Sequence, residues 1–356
     1  MKIAIDTQTA LGQKSGFGFY VENLVKALAK VDPQNKYVLI KPQTEKDFST
    51  VQRWWWDQIR FPSKARKEQV DLIHQPCFSA PIFYRGNVVV TCHDIISMKF
   101  PKNLPFASRM FYSRWMPFSY RAAKMIIADS ENTKKDIIEY LNIPKEKIRV
   151  VHLAVSQDFK PKSPQEIEKA KFEYKISGKY FIDVGTIEPR KNLPFLVKAY
   201  ALAVKSGISE KLVITGKKGW YYENLFLLVK KLNLQERVIF TGYADDKDIP
   251  ALYCGATALV FPSLYEGFGF TPLEAMACGT PVISSNTSSL PEVVNEAGIL
   301  LPPKDEKIWA KNMVEVAQNK DLAHKLSQKG LKQAKNFTWE DVARKTIEVY
   351  KEVLEK

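Results

Sequence analysis

Two glutamates, Glu266 and Glu274, flank a glycine-bearing segment in the stretch FPSLYEGFGFTPLEAMACGTPVI, positions 261–283. Between them run Gly267, Phe268, Gly269, Phe270, Thr271, Pro272 and Leu273. The pattern predicts a strand end, a loop, and a short helix opened by Thr271 and Pro272. Loop glycines followed by a helix N-terminus present backbone N–H groups and a positive dipole end to an anion such as a diphosphate. Carboxylates beside such an anion must touch hydroxyls instead, and a sugar nucleotide carries both groups. Glu274 has a second reading, because Thr271-Pro272-Leu273-Glu274 also fits a capping box. Glu266 sits in the loop before Gly267 and has no helix to cap.

Fixed positive charge is available in the segment DVGTIEPRKN, positions 183–192, between an expected strand and an expected helix. Arg190 could bind phosphate bidentately and Lys191 could act as a point charge, although an Arg-Lys pair is also a common surface feature. Gly185 allows close approach there. His93 ends the apolar run NVVVTCHD, where ligands of parallel α/β sheets bind, and local hydrogen bonding is its alternative role. His74 ends another apolar run and could line the same place. Gly16, in KSGFGFY, sits in a glycine loop between a strand and a helix but falls short of a full dinucleotide fingerprint. Ser/His/Asp triads, HExxH, Walker patterns and a well-placed Asp-x-Asp pair are all missing from the sequence. Lys, Arg and a helix terminus could then neutralise a leaving phosphate in place of a metal, so neither metal nor cofactor is expected.

The elements that position these residues alternate throughout. Strands are expected near 2–6, 37–40, 71–74, 87–93, 125–129 and 150–154, and again near 180–185, 211–216, 237–242, 258–262, 281–285 and 299–302. Helical patterns separate most of them, which predicts an α/β fold of two Rossmann-like domains. The polar stretch KPKSPQEIEK at 160–169 reads as the linker. The expected domains are 1–163, 164–337, and a last amphipathic helix from 338 to 356.

The chain has 356 residues, 45% of them hydrophobic and 26% charged, enough for two ordinary domains. Its four cysteines are scattered without a CxxC pair, so no disulfide framework or zinc site is indicated and a reducing cytoplasm is expected. MKIAID runs directly into strand alternation with no leader-like apolar region, and no apolar run is long enough to span a membrane. A net charge of +14 favours an anionic partner. Basic and aromatic residues interleave in RWWW at 53–56 and from Ile95 to Ala128, a segment without Asp or Glu. That composition suits an anionic membrane surface, and an aromatic core beneath a solvated basic face is the other reading. No nucleic-acid-binding module is present, so nucleic acid is not an expected partner.

Taken together, EGFGFTPLE at 266–274, VGTIEPRKN, the Gly16 loop, TCHDI, SENTKKDI and Phe337-Thr-Trp-Glu resemble the family 4 retaining glycosyltransferases over nearly the full length. The resemblance implies the GT-B fold, two Rossmann-like domains facing a central cleft, with acceptor bound by the first and nucleotide sugar by the second. It further implies that the last helix packs back on the first domain. By the same resemblance, Lys191 and Arg190 clamp the donor diphosphate and Glu274 binds the ribose hydroxyls. Glu266 holds the transferred sugar and its phosphate with the N–H groups of Gly267, Phe268, Gly269 and Phe270. Thr271 opens the phosphate-facing helix, Gly16 lets its loop approach the diphosphate, and His93 contacts the sugar or assists near the anomeric carbon. Thr186 departs from the pattern, since many members carry Arg there, and this shifts weight onto Arg190. The EPRKN variant and the tryptophan region look most like bacterial mannosyltransferases of O-antigen or capsule synthesis. They imply GDP-mannose as donor, a lipid-linked or polysaccharide acceptor, and a cytoplasmic site at the inner face of the plasma membrane. A UDP-sugar donor, or a non-catalytic nucleotide-sugar or polyanion binder, are the competing readings.

Overall fold

Short apolar runs alternating with amphipathic segments build two parallel sheets, each of six strands. The structure is a computed structural model that describes residues 1–11, 16–43, 48–99, 109–217, 219 and 222–355. It divides into two units, one formed by Met1–Ala154 with Phe337–Lys356 and the other by Val155–Asn336.

In the first unit the strands are β1 (Lys2–Asp6), β2 (Lys36–Ile40), β3 (Leu72–Gln75), β4 (Asn87–Cys92), β5 (Met125–Ala128) and β6 (Ile148–Val150), in spatial order β2-β1-β3-β4-β5-β6. Their central residues, among them Ile3, Ile5, Ile73, Val89 and Ile126, are fully buried, as expected of a sheet covered on both faces. Each such side chain contributes roughly 1.5–3 kcal/mol of hydrophobic stabilisation. The strand expected at 150–154 instead runs from Ile148 to Val150, and the Val151 N–H makes a last bond to the Ala128 carbonyl at 2.9 Å. Helix α1 (Gly16–Val31) follows β1 and buries Tyr20, Val21, Leu24, Ala27 and Leu28.

The helix Trp339–Glu355 belongs to this unit and packs on α1, β4 and β5. Its buried residues Val342, Ala343, Thr346, Ile347, Tyr350 and Val353 fall on one stripe with period 3.6. Arg149 pairs with Glu352, and Lys30 Nζ lies 2.6 Å from Glu340 Oε1, so ion pairs flank the apolar seam.

The second unit contains β7 (Tyr180–Val184), β8 (Lys211–Thr215), β9 (Val238–Gly242), β10 (Ala258–Phe261), β11 (Val282–Ser285) and β12 (Ile299–Leu301). Their order, β12-β11-β10-β7-β8-β9, reverses direction between β7 and β10. That junction is a topological switch point, where the connections leave a crevice at the strands' carboxyl ends. The stretch expected as a linker is helical from Pro164 to Glu173. Ser163 caps it, and its N–H donates to Glu166 Oε2 at 2.9 Å.

The basic aromatic segments divide between core and surface. Trp56, Phe111 and Tyr120 are core residues, while Val51, Trp55, Met110 and Phe118 are exposed at 73%, 49%, 43% and 53%. Trp54 and Trp115 pack together at 5.6 Å beside a hollow of about 500 Å³ lined also by Arg114. Phe100, Lys102 and Phe106 of the same segment lie outside the described residues. Among the described residues, no helix is long and apolar enough to cross a membrane.

Candidate functional site

The loops after β7 and β10 flank the switch point, and their side chains meet there. Lys191 Nζ lies 2.9 Å from Glu266 Oε1, and Arg190 Nη1 lies 2.6 Å from Glu266 Oε2. Arg190 also donates to the Tyr265 carbonyl at 2.7 Å and to Glu188 Oε1 at 3.0 Å. Ser263 Oγ donates to Glu266 Oε1 at 2.6 Å, and the Glu266 N–H donates to Ser288 Oγ at 2.8 Å. Burial alone would raise the Glu266 carboxyl, but Lys191 and Arg190 overcome it and hold its pKa down at about 2. Glu266 is therefore an ionised, immobile acceptor between two cations. The Lys191 side chain crosses Gly185, where a Cβ would come within 3.1 Å of Lys191 Cε; the residue also holds φ +154, which only glycine adopts readily.

The helix expected after the glycine loop runs from Phe270 to Ala277, with Gly269 as N-cap at φ +119 and no side-chain capping bond. Thr271 thus stands one residue inside the helix, and the capping box that was the second reading of Glu274 does not form. Glu274 Oε2 instead accepts a hydrogen bond from Tyr253 Oη at 3.1 Å. Burial raises the Glu274 carboxyl to about 7, so it exchanges its proton near neutrality. Phe268 is buried edge-on against Phe270 at 5.5 Å and fixes the loop of Gly267 and Gly269.

Asp183, near the end of β7, was not singled out by sequence. It is 1% exposed, its two carboxyl oxygens have no hydrogen-bond partner, and burial lifts its pKa to about 7. Tyr253 and Ser263 were also missed: Tyr253 stands 21 residues before Glu274, and Ser263, three residues before Glu266, has no chemically distinctive type. Asp183 had a usable signal: a carboxylate at the carboxyl end of an apolar strand.

His93 and Gly16 belong to the other unit. His93 follows β4 and is held on both ring nitrogens, with Nδ1 2.6 Å from Asp129 Oδ2 and Nε2 2.9 Å from the Pro76 carbonyl. Burial opposes its charge, yet Asp129 outweighs burial and raises its pKa well above the ordinary value. Asp129, also missed, follows β5 in the same strand-end position. Gly16 is the exposed first residue of α1, and a Cβ there would meet nothing within 4 Å. His74 is a core residue, fully buried and bonded to Tyr350 Oη at 2.7 Å and Thr91 Oγ1 at 2.9 Å; burial drops its pKa to about 3. Among the described residues no cluster of three or more His, Cys, Asp or Glu could hold a metal ion.

Comparisons with known proteins bear on the same regions. Residues 15–159 match the model described as Glycosyltransferase Family 4, and residues 164–333 match Glycosyl transferases group 1. The chain is 35% identical to the O-antigen chain mannosyltransferase B of Escherichia coli over 79% of its own length and 74% of the relative's. It is 30% identical to the serotype-specific mannosyltransferase WbdA of Escherichia coli over 75% of its own length, and spans only 34% of that larger protein. Among solved structures, Anabaena HepE in complex with UDP and glucose aligns with a TM-score of 0.73 at 18% identity, covering 99% of this chain and 100% of that one. Matches across both units, a relative at this identity and the shared architecture agree: the chain belongs to the family 4 glycosyltransferases and has the two-domain GT-B fold.

Proposed function

We propose that this glycosyltransferase transfers mannose from GDP-mannose, with retention of anomeric configuration, to a lipid-linked or polysaccharide acceptor in cell-surface glycan synthesis. The observation that carries the proposal is the Lys191–Glu266–Arg190 cluster at the switch point of the second unit. Similarity to the E. coli O-antigen mannosyltransferase supports the choice of sugar.

In this reading Lys191, Arg190 and the N-terminus of the helix Phe270–Ala277 stabilise the leaving diphosphate, the charge that develops in the transition state. Glu266 accepts hydrogen bonds from hydroxyls of the transferred sugar, and Glu274, steadied by Tyr253, from the ribose. Glu266, the carboxylate at the centre of the cluster, is clamped by two cations rather than free to act as a nucleophile, so we favour front-face substitution. The acceptor oxygen attacks the anomeric carbon as the diphosphate leaves, and the diphosphate takes the acceptor's proton. The protein cations do the neutralising, so activity should persist after treatment with a chelator; loss of turnover restored by a divalent cation would contradict this. The exposed apolar and basic face around Val51, Phe118 and Arg114 supports a location at an anionic membrane surface.

The test is incubation with GDP-mannose and a panel of UDP-sugars, using extracted lipid-linked glycans as acceptors. Mannose transfer from GDP-mannose alone is expected. Transfer from a UDP-sugar in its place would overturn the donor, and binding without transfer from any donor would overturn catalysis.

A further inference from the structure

We propose that Cys254 and Cys278 form an oxidation-sensitive thiol pair, a modification site that a peroxide closes into a disulfide, displacing the Tyr253–Glu274 contact beside it. Only the effect on donor binding rests on the function proposed above.

The pair joins the ends of two helices in the second unit. Cys254 is the last residue of the helix Ile249–Cys254, and Cys278 is the C-cap of the helix Phe270–Ala277. Both thiols are free. The Cys254 thiol donates to the Cys278 carbonyl at 3.4 Å, and the Lys160 carbonyl lies 3.7 Å from the same sulfur. The two thiols are also hydrogen-bonded to one another. Thr280 Oγ1 donates to the Tyr253 carbonyl at 2.7 Å, so the helix ends meet without help from the sulfurs.

The two sulfurs differ as an attacking thiol and a resolving thiol must. Cys254 is half-buried, whereas Cys278 is 4% exposed. The hydrogen bond from Cys278 stabilises a Cys254 thiolate. Burial opposes it, the Lys162 N–H and ammonium add to it, and the pKa falls below the ordinary thiol value. Glu166, which lies 3.8 Å from Lys162 Nζ, works against the thiolate, and Tyr180 of β7 also faces it. The same hydrogen bond, burial and Glu274 push Cys278 up, so it keeps its proton. Cys77 and Cys92 are buried in the other unit.

The reaction balances with one peroxide. The Cys254 thiolate attacks a peroxide oxygen, the O–O bond breaks, and hydroxide leaves, taking up the proton that Cys254 released. The Cys278 sulfur then attacks the resulting sulfenic acid. The S–S bond forms, the S–O bond breaks, and the oxygen leaves as water with the Cys278 proton. The pair is oxidised by two electrons and the peroxide is reduced to two waters.

Bonded sulfurs stand about 2.05 Å apart, so closing the pair draws the helix ends together. Cys278 lies one helical turn after Glu274, with its N–H on the Glu274 carbonyl at 3.1 Å. Cys254 adjoins Tyr253, whose hydroxyl donates to Glu274 Oε2 at 3.1 Å. Both partners of that contact therefore move with the sulfurs.

The test is peroxide treatment of the folded full chain, then tryptic mapping. No Lys or Arg stands between Lys247 and Lys304, so both cysteines fall in the fragment 248–304. That fragment should lose two hydrogens, and further cleavage at Glu266 or Glu274 should give pieces that part only on reduction. In Cys278→Ala, dimedone should trap Cys254 as sulfenic acid; in Cys254→Ser, Cys278 should remain a thiol. Calorimetry with GDP and with UDP should show affinity lowered at least about fivefold by oxidation, restored by dithiothreitol, and unmoved by peroxide in Cys254→Ser. No disulfide in the fragment, a disulfide that leaves nucleotide affinity unaltered, or an equal loss in Cys254→Ser overturns the proposal. Should Cys278→Ala fail to fold, the wild type and Cys254→Ser decide the matter. The mapping needs no nucleotide: a reduced protein that binds neither GDP nor UDP would fail the proposed function, and the disulfide would still be decided.

Discussion

Glu266 and Lys191 neutralise each other across 2.9 Å, yet the two should respond to mutation with opposite signs. Lys191→Ala removes a cation from the diphosphate site, and charge-assisted hydrogen bonds contribute about 1.5–3 kcal/mol. Calorimetry should therefore show GDP affinity reduced roughly tenfold to a hundredfold. Glu266→Gln removes an anion that competes with phosphate for both cations. GDP should bind as well or better while transfer from the sugar nucleotide falls; weaker GDP binding would place Glu266 elsewhere. Asp183 supplies a pH test. Its folded pKa of about 7 exceeds its unfolded value of 3.8, so the stability it contributes is full below pH 4 and is lost as pH rises through 7. Asp183→Asn, neutral throughout, should gain stability over the wild type by about 2–4 kcal/mol at pH 8 and by less at pH 5. Chemical denaturation at the two pH values measures this, and an equal gain at both would assign Asp183 another role. Residue types and strand-end positions made Glu266, Lys191, Arg190 and His93 legible in the sequence. Tyr253 and Asp129 were not legible as partners of Glu274 and His93, since contacts across 21 and 36 residues leave no local pattern, and Ser263, three residues before Glu266, is of too common a type to stand out.

At the scale of elements, the terminal helix meets the sheet through the Arg149–Glu352 pair and, within the apolar seam, through Tyr350 Oη to His74 Nδ1 at 2.7 Å. Tyr350→Phe leaves a buried ring nitrogen unpaired, which costs about 1–3 kcal/mol. A lowered midpoint in urea with an unchanged slope is the expected result. Little or no change would mean that His74 adopts its other tautomer or finds water. Strand and helix periods were read correctly because both sheets are buried on both faces and their helices show one apolar stripe. Errors fell at ends, where local signals compete. Gly269 can adopt the left-handed backbone that starts the helix before Thr271, and Ser163 with Glu166 forms the capping box that Glu274 does not. Residues 151–154 are apolar enough for a strand, but β5, the neighbour they would pair with, ends at Ala128, whose carbonyl takes the Val151 N–H at 2.9 Å.

For the whole molecule, a net charge of +14 and the apolar hollow by Trp54 and Phe118 predict salt-sensitive binding to vesicles rich in anionic lipid. Sedimentation at low salt should retain the protein, and Phe118→Glu should release it without affecting GDP binding. Equal binding to neutral vesicles would leave the charge without a role. The terminal helix has a further consequence, for the order of synthesis. The second unit is one continuous segment, complete once residue 336 has been made, whereas the first unit begins the chain and cannot close until residues 337–355 emerge. Until then the face of α1 that will carry the terminal helix is uncovered, and His74 waits for its hydroxyl. A released chain truncated after residue 336 should hold a protease-resistant second unit and a first unit that is still cleaved.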